Sequence, residues 1–309
     1  SPMDQDGYFS LGTNCDYVAP FIGQAPLFLE VNAQMPRTFG DNRIHVSEVV
    51  GWTEVDRPLL EAVPPMAIHA DHAIAQSVAE RVPNGATMQA GIGSIPDALL
   101  ASLHGHRELG IHTELLSDGF VDLIRSGAVT GARKRTHRGK VVATFALGSR
   151  RLYDFMHDNE LIEMRRVDYV NDPRVVGTED CFVSVNATTE VDLVGQCASE
   201  TVAGRYWSSS GGQADFARGA MYSEHGKAFV VLRSTAAGVE GLVSRIRSTL
   251  TPGSMVTTLK NTVDHIVTEF GVADMRGRSI SERARALIAI AHPQFRDELT
   301  HAARDLSYI

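Results

Sequence analysis

The sequence predicts an α/β fold built on an open, mostly parallel sheet. Three observations carry that expectation. Short strand-like runs at 86–90, 109–113, 141–147 and 227–233 alternate with segments of helical periodicity over most of the chain, a pattern that packs as strands joined by crossover helices. The run at 109–113 is short and mostly apolar and follows a helical segment, as a buried parallel strand does. With 309 residues, 43% hydrophobic and 21% charged, the chain has the composition of an ordinary soluble globular protein and is long enough for two domains or one large α/β unit.

In chain order, SPMDQDGYFSLG (1–12) is rich in turn residues and reads as a loop that follows a strand, so the sequence implies something upstream of it. Residues 20–31 and 43–50 read as strands, or as helix and strand pieces. Ala62-Val63-Pro64-Pro65 is the clearest linker signal and sets an expected boundary between 1–65 and 66–309. Beyond it, Ala70, Ile74, Val78 and Val82 recur on one helical face within 66–82. His69 and His72 share that segment, but neither Asp71 nor any cysteine is spaced to complete a ligand set, so no metal is expected.

Asn84-Gly85 turns the chain into the strand at 86–90. Gly91-Ile92-Gly93-Ser94-Ile95-Pro96 follows, then a helix at 96–103 with Ser94 or Ile95 as its cap and Asp97 in its first turn. After the strand at 109–113, Ser117-Asp118-Gly119 leads into a helix at 120–126. The basic run 133–140 reads as a solvated connection, with phosphate binding as the other reading. A strand at 141–147, a helix at 151–157 and a strand at 165–170 continue the alternation to Asn171-Asp172-Pro173. Residues 181–186 and 191–194 alternate like strands around a turn, and 227–233, 256–258 and 265–268 read as further strands. Ser279 and Glu282 form a capping box ahead of a helical pattern, and Pro293 starts a last helix.

Several function classes are disfavoured by composition. A net charge of −8 argues against a general nucleic-acid binder. Cys15, Cys181 and Cys197 are far apart with no CxxC, which points away from a disulfide framework or structural zinc and towards a reducing cytoplasm. No apolar run reaches membrane-span length, and the first residues lack the basic end and apolar core of a signal peptide.

Three stretches are candidates for chemistry. Glu114 is expected where its strand ends, and ligands of open α/β sheets bind at the carboxyl ends of strands; it either carries chemistry or caps the next turn. The strand, glycine loop and helix start around Gly91 and Gly93 form an anion-binding arrangement, since backbone N–H groups are unpaired there. That loop lacks the third glycine of a dinucleotide fingerprint and the Lys-Ser/Thr of a P-loop, so tight strand-to-helix packing explains it as well. In WSSSGGQADFARGA (207–220), adjacent glycines suit backbone laid against a ligand or a surface turn, and Ser208, Ser209 and Ser210 do not meet GxSxG.

Taken together, SPMDQDGYFSLG, QAGIGSIPDALLASL, LGIHTELLSDGFVDL, YVNDP, SVNATTEVDLVGQ, GGQADFARGA, VTEFGVADMRGRSISERARALI and IAHPQFRDEL resemble the acetyl-CoA hydrolase/transferase family of class I CoA-transferases, with the nearest look to the 4-hydroxybutyrate and butyrate enzymes. The resemblance implies open, mostly parallel sheet domains of the CoA-transferase (NagB/RpiA-like) type, with 1–65 the remaining part of an incomplete first domain and 66–309 a second domain carrying the catalytic glutamate. It implies CoA transfer between a short-chain acyl-CoA and a carboxylate such as acetate, through a glutamyl-CoA thioester on Glu114. An acyl-CoA hydrolase, or a non-catalytic chain that binds CoA or a partner, is the alternative.

By the same resemblance Asn171 positions Glu114, and the N–H groups of Ile92 and Gly212 stabilise oxyanions. Gly91, Gly93 and Gly211 allow close approach, while Gln213, Phe216 and Lys260 face CoA. CoA enters as substrate and no cofactor is implied. The implied partners are acyl-CoA, small carboxylates, further copies of the chain and a separate leading subunit or fragment.

Overall fold

In the computed structural model, residues 1–62, 65–239 and 241–309 are described. Val63 and Pro64 of the expected linker lie outside them. The centre is a nine-stranded sheet whose strands, in chain order, are β1 (Phe39–Gly40), β2 (Thr87–Ala90), β3 (Gly110–Leu116), β4 (Val141–Ala146), β5 (Ile162–Met164), β6 (Val183–Ala187), β7 (Lys227–Val231), β8 (His265–Thr268) and β9 (Gly271–Asp274). In space they run β9-β8-β7-β6-β2-β3-β4-β5-β1. Every neighbouring pair is parallel except β8 and β9. The expected mostly parallel α/β architecture is therefore present.

From β2 the chain builds outwards through β3, β4 and β5, then returns to the other side of β2 for β6, β7 and β8. The order reverses between β2 and β6, and such a reversal opens a crevice beyond the carboxyl ends of the strands. The helices are α1 (His69–Ala79), α2 (Ser94–Ser102), α3 (Asp118–Arg125), α4 (Arg150–Met156), α5 (Val167–Val170), α6 (Pro173–Val176), α7 (Gln213–Tyr222), α8 (Ile280–Ile290) and α9 (Arg296–Asp305). One apolar cluster joins β2, β3, β4 and β6 to helices α1 to α4, through Ile74, Leu99, Phe120 and Leu152. A second holds Val142, Val170, Phe182 and Phe216 beneath α5, α6 and α7. The third packs α8 and α9 against β7 and β8.

The first 65 residues do not stand apart from this sheet. Their strand β1 pairs with β5 at the edge, and Cys15 N–H donates to the Thr144 carbonyl at 2.7 Å. Leu27–Asn32 and Val49–Val55 form a separate two-stranded parallel sheet.

Several element assignments are corrected. The strand expected at 165–170 lies earlier, at β5, and Val167–Val170 is helical, because Tyr169 and Val170 N–H groups close a turn on the Arg166 carbonyl. Residues 256–258 are irregular, with one isolated bridge between Thr258 and Cys197. The strands flanking 187–190 do not pair with each other: β6 stays in the central sheet, while Glu190–Asp192 joins Cys197–Ala198 and Ile246–Arg247 in a small sheet. The basic run is not simply solvated, for Lys134 is buried with its ammonium on the Ile111 and Lys140 carbonyls, each at 2.9 Å. The Ser279–Glu282 capping box forms as expected.

Candidate active site

Strand β3 extends to Leu116, so Glu114 lies within the strand and not at its end. The reason it is nevertheless accessible is that its neighbour stops first. Pairing with β2 is set by Thr87 opposite Gly110 and Met88 opposite Ile111, and Ala90 is the last residue of β2. The same register brings Gly91 alongside Glu114, consistent with Thr113 Oγ1 donating to the Ala90 carbonyl at 3.5 Å. Beside Glu114 the ladder gives way to the glycine loop that leaves β2, and the strand order reverses on the far side of β2.

Two donors hold the Glu114 carboxylate. Asn171 Nδ2 donates to Oε1 at 3.0 Å, and the Gly212 N–H donates to Oε2 at 3.0 Å. Asn171 caps α5 with its own N–H on the Val167 carbonyl, and Asp172 caps α6 by accepting the Arg174 N–H at 2.8 Å. Asn171 thus occupies the joint between two short helices. Gly212 is the N-cap of α7, so the carboxylate sits at a helix N-terminus, where unpaired N–H groups and the helix dipole favour negative charge.

The glycines at this site have separate reasons. A Cβ on Gly212 would lie 2.5 Å from Asn171 Nδ2 and 2.9 Å from Glu114 Oε2, so nothing larger fits between donor and carboxylate. Gly211 has φ of +55° and Gly93 +124°, backbone regions that side chains rarely tolerate. Gly93 is also the N-cap of α2, a residue earlier than the Ser94 or Ile95 cap expected, because its conformation lets the helix start at Ser94. Ile92, between Gly91 and Gly93, is 65% exposed.

Around Glu114 an open cleft is lined by Asn171, Asp168, Asp172, Ser210, Gly211 and Asp215. Burial, with the Glu114 charge, raises the Asp215 carboxyl above its ordinary range. On the opposite side of the glycine loop, Arg233 after β7 makes a bidentate pair with buried Asp71 of α1, 2.7 Å to each oxygen, and reaches Ser94 Oγ at 3.3 Å. Asp215 follows three residues after Gly212, a spacing that marks it as part of the same helix start. No local signal connects Arg233 to Ser94, 139 residues away.

Two of the residues expected to face CoA are buried. Phe216 is fully buried and stacks on Phe182 with ring centroids 6.1 Å apart, so it packs α7 onto the sheet. Gln213 is buried and donates to Thr258 Oγ1 at 3.0 Å, tying the start of α7 to the loop that carries Lys260. Lys260 is exposed. Among the described residues no group of His, Cys, Asp and Glu forms a metal cluster, His69 and His72 included. No helix among them is long and apolar enough to cross a membrane.

The glycine-loop helix supplies a pH prediction. Burial, with the Asp118 carboxylate nearby, pushes the Asp97 carboxyl up to about 6, against about 3.9 in an unfolded chain. Between those values the folded state retains a proton that the unfolded state has released, so stability from this group is lost as pH rises through about 4 to 6. Asp97→Asn is expected to stabilise the protein at pH 7 by on the order of 1 kcal/mol and to leave it unchanged near pH 4, measured by urea unfolding at both values.

The arrangement is a carboxylate anchored by two donors at a helix start, beside a glycine loop and open to solvent. It suits a nucleophile held in place. Residues 148–303 match the family model for the acetyl-CoA hydrolase/transferase C-terminal domain. The chain is 51% identical over 310 residues to a succinyl-CoA:cyclohexane-1-carboxylate CoA transferase of Geobacter metallireducens, covering 100% of this chain and 70% of that protein. It is 46% identical over 300 residues to a 4-hydroxybutyrate coenzyme A transferase of Clostridium kluyveri, covering 97% of this chain and 70% of the relative. The crystal structure of RipA from Yersinia pestis superposes with a TM-score of 0.95 at 44% identity, over 100% of this chain and 70% of that one. The chain belongs to the acetyl-CoA hydrolase/transferase family.

Proposed function

We propose that the chain moves CoA between a short-chain acyl-CoA and a small carboxylate through a glutamyl-CoA thioester on Glu114. CoA transfer is the activity for which the relatives that match all or nearly all of the chain are named. The observation that carries the covalent route is the Glu114 carboxylate itself, held by Asn171 and Gly212 with the cleft open in front of it.

A glutamate is ionised at neutral pH and attacks a thioester carbonyl without a general base. One Glu114 oxygen bonds to the acyl carbon, the carbonyl π electrons move onto oxygen, and collapse breaks the C–S bond to expel CoA thiolate. The thiolate then attacks the glutamyl carbon of the mixed anhydride, the C–O bond breaks, and the acyl group leaves as its carboxylate. An incoming carboxylate attacks glutamyl-CoA and runs the two steps backwards. Each tetrahedral stage carries an oxyanion. The Gly212 N–H, already on the carboxylate, serves the glutamyl oxyanion, and the Ile92 N–H on the neighbouring glycine loop serves the acyl oxyanion. One such donor is worth about a hundred- to a thousand-fold in rate.

Gly91, Gly93 and Gly211 keep the backbone close, and Lys260 offers a cation to a CoA phosphate. Residues 1–65 are read as part of a first α/β domain that helps to build the acyl pocket. The three free cysteines support a reducing, cytoplasmic setting.

The test separates transfer from hydrolysis. With acyl-CoA alone the protein is expected to release at most one equivalent of carboxylate per site and then stall; adding acetate restores turnover and yields acetyl-CoA. Continuous release of free CoA without any acceptor would make the chain a hydrolase instead.

A further inference from the structure

His112 precedes Glu114 by two residues on β3 and therefore shares its face of the sheet. Its ring is fully buried, and Nε2 lies 2.8 Å from the Val170 carbonyl oxygen. A carbonyl only accepts, so Nε2 carries the proton. Val170 ends α5 and is followed by Asn171, the donor to Glu114 Oε1. The ring also packs against Phe216, centroids 6.5 Å apart, on the helix whose N-cap Gly212 donates to Glu114 Oε2. Tyr169 and Phe182 close its other sides at 6.4 and 6.3 Å.

One buried side chain thus touches both elements that present donors to the carboxylate. We propose that His112 is a positioning residue that sets the two-donor cradle of Glu114, fixing α5 through its Nε2–H and α7 through ring packing. This inference rests on the reading of Glu114 as the nucleophile.

The choice of histidine fits that role better than simple filling. Its Nδ1 is buried without a partner among the described residues, a cost that an apolar side chain of similar size would avoid. What histidine adds in exchange is the bond to Val170. Burial pushes the ring down to about 3, with Lys134 and His137 acting in the same direction and the Val170 bond opposing. The imidazole is therefore neutral at any working pH and serves as a fixed strut, not as an acid or base.

The test uses His112→Leu and His112→Gln in the full chain. In a single turnover with acyl-CoA, quenched and read by intact mass, His112→Leu is expected to form the covalent adduct about ten- to a hundredfold more slowly, as misplacement of a reacting group predicts. The KM for acyl-CoA should change by less than about threefold, since the interaction does not touch substrate. His112→Gln, whose amide can donate to the same carbonyl, should recover most of the rate. A purely structural role would lower the melting temperature without slowing the adduct step in molecules that remain folded. Nitrogen NMR of the unmodified protein supplies an arm independent of folding in the variants: the His112 ring should be protonated on Nε2 and untitrated between pH 5 and 9. Adduct formation at the unaltered rate in His112→Leu, a Gln variant no faster than Leu, or a ring that titrates in that range would each overturn the inference. Failure of the unmodified protein to form any adduct would remove the Glu114 reading first, and this inference with it.

Discussion

Glu114→Ala is expected to lose CoA-transfer turnover by about ten-thousand-fold or more, the scale seen when a covalent nucleophile is deleted. Glu114→Gln should fare no better, although it preserves the side chain's volume and one acceptor oxygen. An amide cannot form the mixed anhydride, so retained shape does not rescue chemistry. Neither change should unfold the protein. Glu114 is half-buried at an open cleft, and removing it exposes the Asn171 amide and Gly212 N–H to water, which can satisfy both. Initial rates in both directions, together with a melting curve for each variant, check the expectation. Turnover within tenfold of the parent in Glu114→Ala would show that the carboxylate is dispensable.

Gly212→Ala is expected to reduce kcat by about a hundredfold or more, with a smaller change in KM. Gly212 has an ordinary negative φ of −87°, so alanine meets no backbone penalty there. Its effect comes from space. The added methyl would stand 2.5 Å from Asn171 Nδ2, 2.9 Å from Glu114 Oε2 and 3.1 Å from its Cδ. Those neighbours are the reacting group and its holder, so relief of the clash must move one of them or pull the Gly212 N–H away. Gly105→Ala is the matched control, because a Cβ there meets nothing within 4 Å and kinetics should be unchanged. Equal kcat for Gly212→Ala and Gly105→Ala would mean that the spacing around the carboxylate does not matter.

How far the chain could be read in advance varied with the range of the interactions involved. The strand at β3, the glycine loop and the capping box at Ser279 are written in residues a few positions apart, and their periodicity and turn chemistry were legible. Glu114 was legible as a carboxylate near a strand's end, but what exposes it is the shorter length of β2, a property of two strands in register. Residues 165–170 were expected as a strand, whereas the local turn at Arg166 takes Val167–Val170 into a helix. Lys134 read as solvated because lysine usually is; the carbonyls that take it inside belong to Ile111 and Lys140.

The candidate site divides in the same way. Asn171 and Gly212 came from resemblance, and the folded chain places both on the carboxylate. Gln213 and Phe216 occur in the same motif but point inward, because residues near a helix start that lie on its sheet-facing side are needed for packing. The pairing of Arg233 with Asp71 was missed, since a pair separated by 162 positions leaves no trace in local pattern. His112 sits next to the motif's glutamate, yet its importance depends on a carbonyl 58 residues away.

The central claim is that Glu114 accepts CoA covalently. Incubation of the protein with acyl-CoA and no acceptor, followed by intact-mass measurement and peptide mapping, tests it directly. The account predicts a mass gain of CoA less one water, located on the peptide that contains Glu114, lost on adding a carboxylate and never formed by Glu114→Ala. Turnover without any such adduct, or an adduct mapped to another residue, would contradict it.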